Sequence, residues 1–190
     1  GRSVLLFNES KHRAHPIRTV LCRNESAFVL ERGPVTLSQG DDYVGEALVP
    51  YTSVGAELYL PYAIELGLSI LQSTAKDQVT VGLRTGPEGI VSTSSEGTTL
   101  TWTIENRLNR DEEVTVECHR SLLPGTLDPQ TPPAESVGPA YRWKVPCPAG
   151  ARTVFKVRST RLDDLQIEAS TLNAGPVSYT HLRAHETKAN

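Results

Sequence analysis

"TTLTWTIEN", residues 98–106, places Leu100, Trp102 and Ile104 on one side of an extended chain and Thr99, Thr101 and Thr103 on the other. A period of two in β-branched and aromatic residues marks a strand with one face in a core and one in water. After "RLNRD", whose Asn and Asp suit a turn, "EEVTVEC" at residues 112–118 repeats the pattern with Val114, Val116 and Cys118 inward. The two runs are expected to pair as a β-hairpin. Downstream, Tyr141, Trp143 and Val145 alternate with Arg142 and Lys144, and "ARTVFKVRS" follows a Pro-Ala-Gly turn with Val154 or Phe155, and Val157, available to the core.

Upstream, the runs "PIRTVLCRN", "FVLERGPVTLSQ", "YVGEALVP" and "AELYLPYAIELGLSI" are bounded by Gly, Pro, Asn and Asp. In the last of these, Tyr62, Ile64, Leu66, Leu68 and Ile70 alternate as in a strand, while Pro61 would also suit a helix start; strand is the favoured reading. Residues 122–139 are Pro-rich and expected to be a loop, since proline lacks the amide a central strand donates. The fold class expected is all-β: an antiparallel immunoglobulin-like β-sandwich, divisible into two abutting β subdomains. The divisions fall at 1–15 (partial upstream segment), 16–72 (N-terminal β subdomain), 73–97 (connection and strand), 98–160 (C-terminal sandwich subdomain), 161–175 (truncated continuation) and 176–190 (non-native tail).

With 190 residues, 22% of them charged, and a formal charge of -3, the chain offers no positive field for nucleic acid. Its apolar runs are far shorter than the roughly 20 residues of a spanning helix, so no membrane span is expected. Gly1 stands first and Met is absent from the chain, which points to an internal fragment.

The chemistry-bearing residues mostly read as structure. Asp41-Asp42 follows Gln39-Gly40 between two β patterns; Gly tolerates positive φ and Asp bonds its own backbone, so the acids mark a turn. No alternating calcium loop surrounds them. His12 and His15, between Lys11 and Arg13, read as a solvated basic loop. Cys118 and His119 are adjacent on a strand and so point to opposite faces, which denies them a nucleophilic pairing. Glu105, Glu113 and Glu117 lie on polar strand faces and read as solvated charge in preference to a glycosidase pair.

Cys22, Cys118 and Cys147 lack metal-ligand spacing. If residues 112–118 and 141–147 are antiparallel neighbours, Cys118 and Cys147 stand roughly 20 Å apart at about 3.3 Å per residue; in facing sheets a bridge becomes conceivable. Free thiols are favoured. The sequons Asn8-Glu9-Ser10 and Asn24-Glu25-Ser26 would be glycan acceptors in a eukaryotic secreted protein. Nucleophile-elbow, phosphate-loop and dinucleotide fingerprints are missing, so no catalytic residue, cofactor or metal is expected.

The ordered series "RGPVTLSQGDDYVGEALVPYTSVGAELYLPYAIELGL", "TTLTWTIENRLNRDEEVTVECHR" and "YRWKVPCPAG" resembles the C-terminal domain of unknown function of mucoidy-inhibitor-A-like (MuiA-like) proteins. The likeness runs over about residues 26–158. It implies an all-β domain preceded by another β domain and a coiled-coil stretch, and a connection to the bacterial cell envelope or periplasm. It supplies no catalytic residues. The partners it implies are the protein's own upstream β and coiled-coil regions or an envelope protein, so residues 1–72 are expected to leave apolar surface uncovered. The alternative is a polysaccharide-binding or polysaccharide-processing domain, with Tyr43 and Tyr59 as glycan-binding candidates. The final run "PVSYTHLRAHETKAN", residues 176–190, resembles a translated sequencing adapter and is set aside from fold reasoning. His181 and His185 within it stand at i, i+4 without the Glu of a zinc-protease helix.

Overall fold

The structure is a computed structural model and describes residues 1–86 and 89–168, with side chains given up to residue 85 and from 89 to 165. The described residues form twelve strands and no α-helix: β1 (Arg2–Phe7), β2 (Ile17–Arg23), β3 (Gly33–Gln39), β4 (Asp42–Val49), β5 (Glu57–Ile64), β6 (Leu68–Gly86), β7 (Gly89–Asn106), β8 (Glu112–His119), β9 (Thr126–Leu127), β10 (Glu135–Val137), β11 (Ala140–Cys147) and β12 (Arg152–Glu168). A single 3-10 turn, Arg120–Leu122, follows β8. The all-β sandwich class expected from the alternation is what forms. Six strands in the order β10-β11-β8-β1-β2-β5 make one sheet, four in the order β6-β7-β12-β9 make a second, and β3-β4 form a separate hairpin. One pairing is parallel, β1 with β8; the others with a defined register are antiparallel.

The described residues divide into two compact units, one of residues 1–78 with 96–161 and one that holds residues 79–95 and 162–168. The subdomains expected at 16–72 and 98–160 are not separate, because the β1–β8 pairing joins β1, β2 and β5 to β8, β10 and β11 in one sheet. In the first unit, Leu5 and Phe7 of β1, Leu68 and Ile70 of β6, Val114 and Val116 of β8 and Trp143 and Val145 of β11 meet around Trp102 of β7. The Trp102 ring lies 5.9 Å from Trp143 and 5.8 Å from Phe155. At β12 the inward set is Phe155, Val157 and Ser159, and Val154 is exposed.

The expected hairpin of residues 98–106 with 112–118 does not form. β7 and β8 belong to different sheets, and the five-residue link between them crosses from one sheet to the other. The buried Asn106 side chain holds this corner: its amide donates to the carbonyls of Arg110, Cys147 and Pro148, and its oxygen accepts from the Leu108 amide. The apolar faces of the two strands therefore oppose each other across the core. Burial of Leu100, Trp102 and Ile104 against Val114 and Val116 removes more apolar surface from water than side-by-side pairing of the same residues would.

Two further readings change in detail. Residues 57–70 are two strands broken by a turn at 65–67, where the Glu65 carboxylate accepts from the Gly67 amide; Leu58, Leu60, Leu68 and Ile70 are buried, while Ile64 and Leu66 are exposed. The Pro-rich stretch 122–139 contains the short strands β9 and β10, each paired along one side only, a position that tolerates missing amides. Asp41 and Asp42 are exposed at the β3–β4 turn, where Gly40 has φ of +63°, so the acids are turn residues as the sequence indicates.

The second unit carries the continuations of β6, β7 and β12. Arg84 meets Asp164 at 2.9 Å, and the Thr93 hydroxyl donates to Asp164 at 2.6 Å. Val79, Val81, Leu83, Leu162 and Leu165 are exposed along it.

Candidate functional site

The first unit holds an open cavity of about 1070 Å³, walled by residues 8–14, the end of β8 and the start of β11. Short polar side chains build its rim. Asn8 follows β1 and turns the chain, its oxygen accepting from the Ser10 amide at 3.0 Å and the Ser10 hydroxyl at 2.6 Å. His12 Nδ1 accepts from the His15 amide at 3.0 Å, and His15 Nδ1 donates to the Leu68 carbonyl at 2.6 Å. The Ile70 amide donates to the Ala14 carbonyl at 2.7 Å, which fastens the loop to β6. His12 and His15 are thus half-buried anchors of an ordered loop, a correction to their reading as a solvated one. The loop folds back because its own side chains satisfy its backbone.

Beneath the rim lies a buried ion pair. Glu117 and Arg142 face each other across β8 and β11, joined at 2.6 Å, and both side chains are more than nine-tenths buried. Glu117 also accepts from the Asn8 amide at 2.8 Å and has Lys11 at 3.7 Å. Arg142 donates to the Tyr59 hydroxyl at 2.5 Å and stacks 4.3 Å from the Tyr59 ring centre. The β1–β2, β2–β5, β1–β8 and β8–β11 registers place Glu117, Arg142 and Tyr59 on one face of the six-stranded sheet. Flat strands about 4.8 Å apart would hold β11 and β5 beyond this reach, so the sheet curls toward that face. Glu117 is therefore not solvated charge, as its alternation suggests, because the curl and the 8–14 loop cover the polar face of β8 at its C-terminal end.

Burial acts to raise the Glu117 pKa, but the bonds from Asn8 and Arg142 and the charges of Arg142 and Lys11 outweigh it and hold the carboxyl below its usual range. Tyr59 is pushed up, mainly by burial against the opposing charge of Arg142. With the acid ionised and both its oxygens occupied, Glu117 has no proton to donate and no free lone pair aimed at a substrate.

The other residues singled out by the sequence stand apart from one another. Tyr43 is two-thirds exposed on β4, in the two-stranded hairpin, whereas Tyr59 is half-buried in the six-stranded sheet with one ring face under Arg142. His119 is exposed, with Nδ1 accepting from the Ser121 amide at 3.2 Å and 2.7 Å from the Ser121 hydroxyl, while the adjacent Cys118 points into the core. Glu113 is exposed and Glu105 reaches Arg107 at 3.3 Å. His181 and His185 lie outside the described residues. Among the described residues no group of three or more His, Cys, Asp or Glu side chains has the placement to hold a metal ion.

The antiparallel neighbours β8 and β11 set Cys118 opposite Tyr141 and Cys147 opposite Glu112, so the thiols sit at opposite ends of the pairing and all three cysteines are free. Burial pushes the Cys118 thiol up to about 12 and the Cys147 thiol up to about 11. Titration of the folded protein with a thiol-disulfide reagent is expected to modify the half-exposed Cys22 alone on the minute scale, and all three after unfolding. Rapid reaction of a second thiol in the native protein would contradict this packing. Both sequon asparagines are engaged at the nitrogen a glycan would need: Asn8 Nδ2 on Glu117, and Asn24 Nδ2 on the carbonyls of Phe28, Thr52 and Ser53.

Sequence reasoning missed the Glu117–Arg142–Tyr59 cluster. The signal was cross-strand register: once residues 112–118 and 141–147 are paired, a Glu and an Arg stand opposite on the same face. A second feature is the exposure of Phe28, Tyr43, Leu48, Tyr51 and Val54, all in or beside the β3–β4 hairpin. No helix of the described residues is long and apolar enough to cross a membrane. Comparison of the chain with protein-family models, with curated proteins and with solved structures finds no match.

Proposed function

We propose that the chain is a non-enzymatic β-sandwich interaction module, related to the C-terminal region of mucoidy-inhibitor-A-like proteins and connected with the bacterial cell envelope. The observation that carries this reading is the run of large apolar side chains on and beside β3–β4, with Phe28 77%, Tyr43 67%, Tyr51 64% and Val54 55% exposed. Several large apolar side chains exposed on one small element, interspersed with Thr36, Ser38 and Glu46, are the raw material of an associating surface. The resemblance supplies the occupant, an upstream β or coiled-coil region of the same protein. Against an enzyme stand the ionised and fully bonded Glu117 and the raised thiols.

In sedimentation velocity the isolated chain is expected to self-associate and to bind an apolar fluorescent dye. A variant with Phe28→Lys, Leu48→Lys and Val54→Lys is expected to be monomeric with an unchanged Tm. A clean monomer without dye binding would sink the reading. A second reading, polysaccharide binding, draws on the exposed ring of Tyr43. Glycan binding abolished by Tyr43→Ala would favour it over docking.

A further inference from the structure

We infer that the cavity between residues 8–14 and the end of β8 is a binding site for a small oxyanion, a ligand bearing carboxylate or phosphate. The argument rests on which wall groups are already satisfied. Asn8 is bonded through both its oxygen and its nitrogen, Glu117 through both oxygens, and Glu9 accepts from Gln72 at 2.8 Å. Gln72 is spent as well, accepting from the Trp102 indole at 2.7 Å. Each acid or amide on the wall thus has a partner in the protein.

The donors on the same wall are left over. Arg13 is exposed and has no partner among the described residues, and Lys11 is more than half exposed with only the 3.7 Å contact to Glu117. His12 and His119 both line the cavity, and each uses Nδ1 to accept a backbone amide. In the neutral ring the proton then resides on Nε2, so each has one remaining N–H to give. Arg142 beneath the wall answers Glu117, which leaves Lys11 and Arg13 facing the single charge of Glu9. Spare N–H groups and a surplus of cations select an acceptor-rich anion. Leu122 and Pro139 add an apolar side to the cavity. At about 1070 Å³ the open space is just above the usual range of small-molecule sites. This site is independent of the docking surface proposed above.

The test is proton NMR of the imidazole rings at constant pH and ionic strength, with inorganic phosphate in one titration and citrate in another. Resonances of His12 and His119 are expected to move along one saturable curve, and further than that of His15, which is held on the Leu68 carbonyl outside the cavity wall with its ring 5.4 Å from His12. Saturation by phosphate alone assigns a phosphate-type ligand and saturation by citrate alone a carboxylate-type one. Arg13→Ala, at an exposed position, is expected to weaken binding by roughly tenfold with an unchanged Tm, the loss of one charge-assisted contact. Absence of saturation with both anions overturns the proposal, as do curves identical in the wild type and Arg13→Ala.

Discussion

Arg142→Ala is expected to lower the unfolding free energy by about 3–5 kcal/mol, the cost of leaving a buried charge without its partner. The guanidinium is the closest group to Glu117 and also packs on Tyr59, so its loss strands a carboxylate that is 8% exposed and opens a gap over an aromatic ring. The pH dependence identifies the cause. In the native protein the Glu117 pKa lies below its usual value, so its stabilisation is full above the unfolded carboxylate range and fades as pH falls through the folded value. Without Arg142, burial outweighs the remaining help from Asn8 and Lys11 and the folded pKa moves up. The deficit of the variant is then greatest near neutral pH and shrinks in acid. Urea unfolding at two pH values measures this, and a deficit independent of pH would assign the loss to packing alone. Replacing both partners together, Arg142→Met with Glu117→Leu, is expected to recover most of the stability, since no uncompensated charge is left.

Trp102→Ala is expected to cost about 3–5 kcal/mol, the range for deleting a large buried aromatic. Its ring is fully buried, in contact distance of Trp143 and Phe155, and its indole nitrogen donates to Gln72. Truncation opens a void at the meeting point of both sheets and frees the Gln72 oxygen. Trp102→Phe keeps most of the volume and is expected to cost clearly less than alanine. Equal losses for the two variants in chemical denaturation would show that the indole hydrogen bond, and not the packing, dominates there.

The strands were legible because their signal is local. Alternation at Leu100, Trp102 and Ile104 and at Val114, Val116 and Cys118 depends only on neighbours two residues apart, and each of these side chains is buried. Which strands pair is a different matter. A short polar link serves equally for a hairpin and for a crossing between sheets, and the choice rests on Asn106 binding carbonyls about forty residues away at Cys147 and Pro148. The polar face of β8 misled for the same reason. Nothing near Glu117 in sequence announces that Asn8, Arg142 and Lys11 converge on it. Of the candidate site, the Asp41-Asp42 turn was readable from turn chemistry, while the separation of Cys118 from Cys147 depended on whether β8 and β11 are neighbours. The cavity was not, because its walls come from residues 8–14, 117–119 and 139–140, brought together only by the parallel β1–β8 pairing and the β8–β11 register.

Nuclear Overhauser contacts of the Trp102 indole test the arrangement of the two sheets most directly. Strong contacts to the Trp143 and Phe155 rings are expected, with none between the α protons of residues 98–106 and those of residues 112–119. A ladder of α-proton contacts between those two segments would place them side by side in one sheet and contradict the fold from which the buried ion pair, the cavity and the exposed hairpin all follow.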